Sequence, residues 1–358
     1  MAIKRFSAQG FRCLGNIEFE PDPDYTLIYG ANASGKTSLL EAVAYLGRGK
    51  SFRGAPPTSL IQHGQHEFVL FANVESDGRV IGVGVRNSRK GLEVRVDGDS
   101  GGGAASLAAA LPVQVIDPDV HNLVSGGPDE RRRFLDWLAF HVEPDYLGLW
   151  RQFRRALKQR NAALKDAGSR ESLVAWDTEF CRLGERVDAA RKKVLAAAEE
   201  TLQAHGEALV GASIGFRYVT GWSKDSTLSG ALADHLDRDC ALGTTQVGPH
   251  RADLRLIYDE RQARRLVSRG QQKLLASAMV LAATEIAQAA LERPLLLLLD
   301  DPAAELDRDS LGRLMGRVAR LGSQVIATSL ERDESLFPAA PRVFHVEHGE
   351  LSTPAPEA

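Results

Sequence analysis

Eight consecutive residues, Gly30-Ala31-Asn32-Ala33-Ser34-Gly35-Lys36-Thr37, match the pattern G-x-x-x-x-G-K-S/T. In that pattern the backbone N–H groups cradle phosphates and the following helix adds the positive end of its dipole. Lys36 would reach the β and γ oxygens, and the Thr37 hydroxyl would ligate magnesium. The cofactors implied are ATP and Mg2+. The context fits, because a strand is expected at 25–29 and a helix from Ser38, with Leu39, Leu40, Val43 and Leu46 at helical spacing. The structural alternative is a chance Gly-rich turn, and the Lys-Thr pair between strand and helix argues against it.

Far along the chain, five leucines at 295–299 run into Asp300 and Asp301, as expected of a buried parallel strand that opens at a nucleotide site. Asp300 would hold the magnesium, directly or through water, and Asp301 would polarise the attacking water. Taken alone, an apolar strand ending in Asp is equally a piece of core. Shortly before it, Ser268-Arg269-Gly270-Gln271-Gln272 heads a helical run at 273–290. A helix N-terminus carrying a serine hydroxyl can bind a γ-phosphate, although a serine there is also a plain N-cap.

The elements that must position these residues are of two kinds. The first 71 residues read as strand, turn, strand, phosphate loop and helix. Over 68–97 the pattern has period two, with Val80, Gly82 and Gly84 on one face and two runs joined across 87–91, which predicts antiparallel hairpins. A flexible turn is expected at 98–103. Strand signals then vanish between 128 and 211, where Leu173, Trp176, Phe180, Leu183, Val187, Ala190 and Val194 recur in steps of three and four. That spacing predicts a packed helix pair, the alternative being one ordinary amphipathic helix. From Ile214 strands return, and the chain closes with helix, apolar strand, helix, strand and a hairpin at 347–350, with 352–358 expected to be disordered.

Composition narrows the class. A chain of 358 residues, 44% hydrophobic and 25% charged, can bury a core spread over two or three domains. The apolar run at 295–299 is far shorter than the roughly 20 residues that cross a bilayer, so no membrane span is expected. Residues 6–11 carry Ser, Gln and Gly where a signal peptide needs an unbroken apolar core, which points to the cytoplasm. Cys13, Cys181 and Cys240 are too scattered for a disulfide framework or a zinc site. A net charge of -3 means that any nucleic-acid contact must come from a local patch.

Most phosphate-loop proteins place the acidic strand soon after the loop, whereas here nearly the whole chain intervenes. ABC and SMC heads resemble this layout, because an insertion splits their sheet and a Ser-x-Gly-Gln signature precedes the acidic strand. Glu305-Leu306-Asp307 resembles their D-loop, and Val325-Ile326-Ala327-Thr328-Ser329 resembles the strand leading to the switch residue, without a histidine. Gln114 lies near the place of a Q-loop, while His345 and His348 come too late to be the switch.

Six further strings resemble the RecF family. They are Phe11-Arg12, Gly47-Arg48-Gly49-Lys50-Ser51-Phe52-Arg53, Val124-Ser125-Gly126-Gly127-Pro128 with Arg131-Arg132-Arg133-Phe134-Leu135-Asp136, Leu157-Lys158-Gln159-Arg160-Asn161, and Val247-Gly248-Pro249-His250-Arg251. The resemblance spans most of the chain. It implies an α/β fold, an ABC/SMC-type ATPase head with a mixed sheet, an antiparallel lobe and the phosphate loop, carrying an inserted short all-helical domain. The head would comprise 1–127 and 212–358, and the insert 128–211.

It also implies a weak, DNA-stimulated ATPase that forms a homodimer around ATP, with Ser268 acting on the partner's phosphate. DNA, duplex or junction, would be bound, with RecR, RecO and RecA as partners at single-strand gaps, and the protein would sit at the nucleoid. Arg12 would touch the nucleotide or serve as a surface charge, and His250 and Arg251 read as structural or interface groups. Three departures stand out. Ala252 and Ala304 occupy positions where Asp and Ser are expected, and Ala33 replaces a glycine, which is tolerable only at negative φ.

For DNA, the helix expected at 150–165 has only basic charges, with Arg151, Arg154, Arg155 and Lys158 on one face, and Lys192 and Lys193 nearby if two helices pair. Arg48, Lys50 and Arg53 on the head are the alternative patch, and a merely solvated face is the structural one. Competing functions are a transporter-type ABC subunit, a structural SMC-like protein, whose long arms are missing, and an ABC nuclease, which needs a further carboxylate cluster.

Overall fold

The computed structural model describes residues 1–76, 78–165, 170–258, 261–263 and 267–354. They fall into two compact units, Met1–Val120 with Glu292–Ala358, and His121–Leu291.

The first unit opens with β1 (Ala2–Gln9), β2 (Ile17–Phe19), β3 (Tyr25–Tyr29), α1 (Lys36–Arg48), β4 (Glu67–Ser76), β5 (Arg79–Ser88), β6 (Gly91–Val96), β7 (Asp99–Ser100), α2 (Ala104–Ala110) and β8 (Val113–Ile116). The period-two stretch forms the expected antiparallel lobe, in strand order β2-β1-β4-β5-β6-β7. One expectation is corrected here: within 98–103, Asp99 and Ser100 pair with Val96 and Arg95 as a short edge strand.

The second unit contains α3 (Asn122–Ser125), α4 (Pro128–Val142), α5 (Tyr146–Lys165), α6 (Arg170–Val210), β9 (Ile214–Val219), α7 (Leu228–Asp234), α8 (Leu236–Leu242), β10 (Asp253–Tyr258), β11 (Arg261–Gln262) and α9 (Arg269–Leu291). It therefore holds the helical segment together with a small antiparallel sheet, β11-β10-β9, and α9. Of the apolar seam, Leu173, Phe180, Leu183, Val187 and Val194 are buried. Trp176 and Ala190 are only half-buried. The surprise on these helices is two arginines, Arg160 and Arg191, with no exposed surface at all.

Both form ion pairs with carboxylates. Arg160 reaches Asp177 at 2.6 Å and Asp239 at 2.7 Å, and donates to Thr245 Oγ1 at 2.8 Å. Arg191 donates to Asp136 at 2.8 Å and to the Pro249 carbonyl at 2.7 Å. Asn161 Oδ1 accepts from Thr245 N at 2.9 Å. The Leu157–Asn161 and Val247–Arg251 strings are thus two sides of one buried polar network, which charged groups need if they are to leave water. The run at 131–133 is likewise engaged: Arg131 is buried against Asp253 at 2.7 Å, next to Ala252, whose carbonyl accepts from Arg132.

Helix α9 has the length and apolarity to cross a bilayer, which the leucine run alone had hidden. Two thirds of that stretch (67%) is buried inside the protein, the mark of a core helix.

The chain then completes the first unit with β12 (Leu296–Leu299), α10 (Arg308–Arg320), β13 (Gln324–Ser329), β14 (Arg342–Glu347) and β15 (Glu350–Ser352). The resulting sheet has the order β15-β14-β3-β13-β12-β8, parallel from β14 to β8 with β15 antiparallel on the edge. All four residues of β12 are buried, which a strand with parallel neighbours on both sides and both faces covered requires. Ser352 belongs to β15 rather than to a disordered tail, while 355–358 lie outside the described residues. Helix α1 is buried all round because it lies between the two sheets. Leu39, Leu40, Val43 and Leu46 share one core with Phe6, Phe68 and Val83 of the lobe and Leu296, Leu298 and Ile326 of the parallel sheet. Each such side chain contributes about 1.5–3 kcal/mol by leaving water.

Candidate functional site

The parallel strands end together, and the sequence-predicted residues of the first unit gather at those ends. The loop 30–35 leaves β3 and enters α1, whose N-terminus has no side-chain cap, so its first N–H groups remain open to an anion. Lys36 Nζ folds over the loop and donates to Gly30 O at 2.7 Å and Ala31 O at 2.8 Å. Burial pulls the Lys36 ammonium below its ordinary value, and Asp301 and Asp300 pull it back up. Ser34 Oγ is buried and has no hydrogen-bond partner. Ala33 has φ of 62°, so the condition of negative φ is not met, and the loop turns there at the expense of strain that a glycine would avoid.

Thr37 and Asp300 meet although 263 positions separate them: Thr37 Oγ1 donates to Asp300 Oδ1 at 3.1 Å. A third residue joins them, to which motif reading gave no role of its own. Thr328 Oγ1 donates to the same Asp300 oxygen at 2.7 Å and accepts from Asp301 N at 3.0 Å. Asp301 is held at φ of 47°. Nearby, Asp117 follows β8, and burial, with help from Asp119 and Asp300, pushes its carboxyl up to about 6 against the pull of Arg48. Among the described residues nothing donates to Asp300 Oδ2. An open helix N-terminus, an unpartnered serine hydroxyl, a lysine at the loop mouth and a hydroxyl-carboxylate pair suit a magnesium nucleotide. Thr37 and Asp300 would hold the ion, and Lys36 and the loop would hold the phosphates.

Two further contacts fix the loop from outside. The turn between β14 and β15 places Gly349 N on Ser34 O at 2.8 Å and receives Gly15 N on Gly349 O at 3.0 Å. Gly30 is equally constrained, since a Cβ there would stand 2.2 Å from Val346 O. On α1, the fully buried Glu41 takes both Arg12 Nε, at 2.5 Å, and Arg12 Nη2, at 2.9 Å, and accepts from the Ser51 hydroxyl as well. Arg12 is therefore committed to an ion pair, and Glu41 ties the string before the phosphate loop to the string after it.

In the second unit, Ser268-Arg269-Gly270-Gln271-Gln272 does open a long helix, α9. Ser268 Oγ accepts from Gln271 N at 3.3 Å, and Gln271 Oε1 accepts from Ser268 N at 2.9 Å. This is a reciprocal capping box, so the serine has a structural task whatever else it does. In the first unit, Glu305 has φ of 67°, Leu306 follows, and Asp307 caps α10 by accepting from Ser310 N at 2.8 Å. That bond holds the Asp307 carboxyl below its ordinary value.

The basic candidates separate clearly. Arg151, Arg154, Arg155 and Lys158 are all exposed on α5, and among the described residues none of them pairs with a carboxylate. Arg154 lies over the Trp150 ring at 5.8 Å. Lys192 is paired to Asp188 and Lys193 to Glu143, each at 2.7 Å. Lys50 and Arg53 are exposed on the head. Arg48 is not available there: its guanidinium turns inward to Val113 O at 3.3 Å and Gln114 Oε1 at 3.1 Å, and burial lowers it to about 10 against the pull of Asp117. The same contact occupies Gln114, which is buried in β8.

The sequence profile described as RecF/RecN/SMC N terminal domain matches residues 2–351. Over 365 residues the chain is 38% identical to the DNA replication and repair protein RecF of Pseudomonas fluorescens, covering 98% of each. The RecF of Shewanella pealeana is 36% identical over 357 residues, covering 98% of this chain and 99% of the relative. Among solved structures, that of the recombination mediator protein RecF with ATP, from the RecFOR pathway, superposes with a TM-score of 0.90 at 24% identity, covering 99% of this chain and 98% of that one. The Smc head domain from Pyrococcus furiosus gives 0.58 at 16% identity over 98% of this chain and 95% of its own.

Proposed function

The chain belongs to the RecF family of DNA replication and repair proteins, and from that membership we propose that it is an ATP-gated DNA-binding switch of recombinational gap repair and replication restart. The observation that carries the reading is the hydrogen bond of Thr37 to Asp300, which brings the phosphate loop and the end of the acidic strand together. When bound, the magnesium ion would neutralise charge on the transferred phosphoryl group. Lys36 and the loop N–H groups orient the phosphates, Thr37 and Asp300 hold the ion, and Asp301 polarises the attacking water.

The reading extends to two protomers. Ser268 and its helix N-terminus, supported by the stretch 305–307, close on the nucleotide of the partner, so that ATP joins the copies and hydrolysis parts them. Asp301 is one methylene shorter than the glutamate common in this class, and no switch histidine helps it, so turnover is slow, well below about 10 per second. Hydrolysis then serves as a timer for a DNA-bound clamp at single-strand gaps. The name of the ATP-bound relative, a recombination mediator of the RecFOR pathway, supports RecO and RecR as partners, and the family resemblance implies the loading of RecA as the outcome. The protein works in the cytoplasm, at the nucleoid.

Titration with a fluorescent ATP analogue in magnesium buffer tests the site. Lys36→Ala should abolish binding, because it removes the cation aimed at the β and γ phosphates. Unchanged affinity would remove the site assignment.

A further inference from the structure

Resting on that nucleotide site, we propose that Thr328 is a positioning residue of the ATPase reaction, setting both Asp300 for the magnesium ion and Asp301 for the water. Thr328 has no exposed surface. It follows Ala327, which pairs with Leu299, so it stands abreast of Asp300 on the neighbouring strand.

The direction of its bonds is fixed by chemistry. Asp301 N can only donate, so the Thr328 oxygen accepts from it at 3.0 Å. The single hydroxyl proton is then free to go to Asp300 Oδ1, at 2.7 Å. Thr37 sends a second hydroxyl to the same oxygen at 3.1 Å. Two donors, one from the first turn of α1 and one from the end of β13, fix the plane of the carboxylate and leave Oδ2 as the oxygen free of protein hydrogen bonds among the described residues. The same threonine anchors the backbone N–H of Asp301, whose φ of 47° is a conformation that persists only where its surroundings impose it. One hydroxyl thereby couples the strand that ends at the switch position to the Asp300 carboxylate and to the Asp301 backbone.

Thr328→Val keeps the branched shape and removes both bonds, whereas Thr328→Ser keeps them. ATP binding is measured first in EDTA and then across a magnesium series. Thr328→Val should bind ATP in EDTA as the wild type does, but need about tenfold more magnesium or beyond to tighten that binding, the loss typical when an outer partner of a metal ligand is removed. Its kcat should fall by at least about tenfold while KM for ATP stays within about threefold, and Thr328→Ser should restore both. A Val variant with the wild-type magnesium dependence overturns the proposal. Should Thr328→Val not fold, the comparison of Thr328→Ala with Thr328→Ser decides in the same way. Wild-type protein that binds no ATP would instead overturn the nucleotide reading beneath it.

Discussion

Gly349 donates its N–H to Ser34 O at 2.8 Å, so the tip of the last hairpin is bonded to the phosphate loop. His348 and Gly349 both have positive φ, 50° and 78°, as a two-residue hairpin turn demands. A Cβ at Gly349 would stand 2.0 Å from Cys13 O, so no side chain fits without moving the turn off the loop. Gly349→Ala should therefore weaken ATP binding by about tenfold, equivalent to about 1.4 kcal/mol, as measured by titration of the purified variant. Wild-type affinity would mean that the hairpin leaves the loop geometry untouched.

His250 is half-buried beside Phe153 and Phe180, and its Nε2–H donates to Thr245 O at 2.9 Å while the covered Nδ1 has no partner. Protonation would put a charge where nothing accepts it. Burial, opposed by the Thr245 bond and aided by Arg251, Arg132 and Arg160, lowers the imidazole to about 4. The folded value lies below the unfolded one, near 6.5, so the neutral ring's contribution is complete above about pH 6.5 and is lost as pH falls toward 4. Measured by urea unfolding, the destabilisation caused by His250→Phe should shrink over that window by up to roughly 3 kcal/mol. A pH-independent difference would contradict the assignment.

Ala33 sits in the left-handed region, at φ of 62°. Ala33→Gly removes about 1 kcal/mol of backbone strain and returns part of it through a freer unfolded chain. Stability in urea should rise by up to about 1 kcal/mol with ATP affinity nearly unchanged. A clear loss of stability would show that the alanine methyl is packed rather than merely tolerated.

The motifs that depend on neighbours in sequence were legible: the strand 25–29, the phosphate loop, α1, the antiparallel lobe and the leucine strand ending in Asp300. What escaped depends on partners far along the chain. Thr328 looks like any strand threonine until Asp300 lies beside it, and Glu41 looks like a surface charge on an amphipathic helix until a second sheet covers that face. Arg160 entered only as part of a family string, because nothing local shows that Asp177 and Asp239 wait for it. The sign of φ at Ala33 was missed for the opposite reason, since the loop's shape is imposed by its motif and not by the residue. The buried arginines also give two strings of the family resemblance a structural task, since their network ties the second unit together.

On α5, four exposed cations without carboxylate partners among the described residues favour this helix over Lys192 and Lys193, which are already paired, and over Arg48, whose guanidinium is bonded inward to Val113 and Gln114. Replacing Arg154, Arg155 and Lys158 together with glutamine should lower the slope of log K against log salt for duplex DNA by about three, close to one per phosphate contact. Sequence preference should stay weak. An unaltered slope would move the DNA surface to the head, around Lys50 and Arg53.

The central claim, that ATP joins two copies through the Ser268 helix, is tested most directly by sedimentation with magnesium-ATP and duplex DNA. Aspartate caps helices as well as serine does, so Ser268→Asp keeps the fold of α9 while setting a carboxylate against the partner's phosphate. Wild-type protein should sediment as a dimer and Ser268→Asp as a monomer that still binds ATP. A wild-type monomer under these conditions, or a Ser268→Asp dimer, would contradict the account.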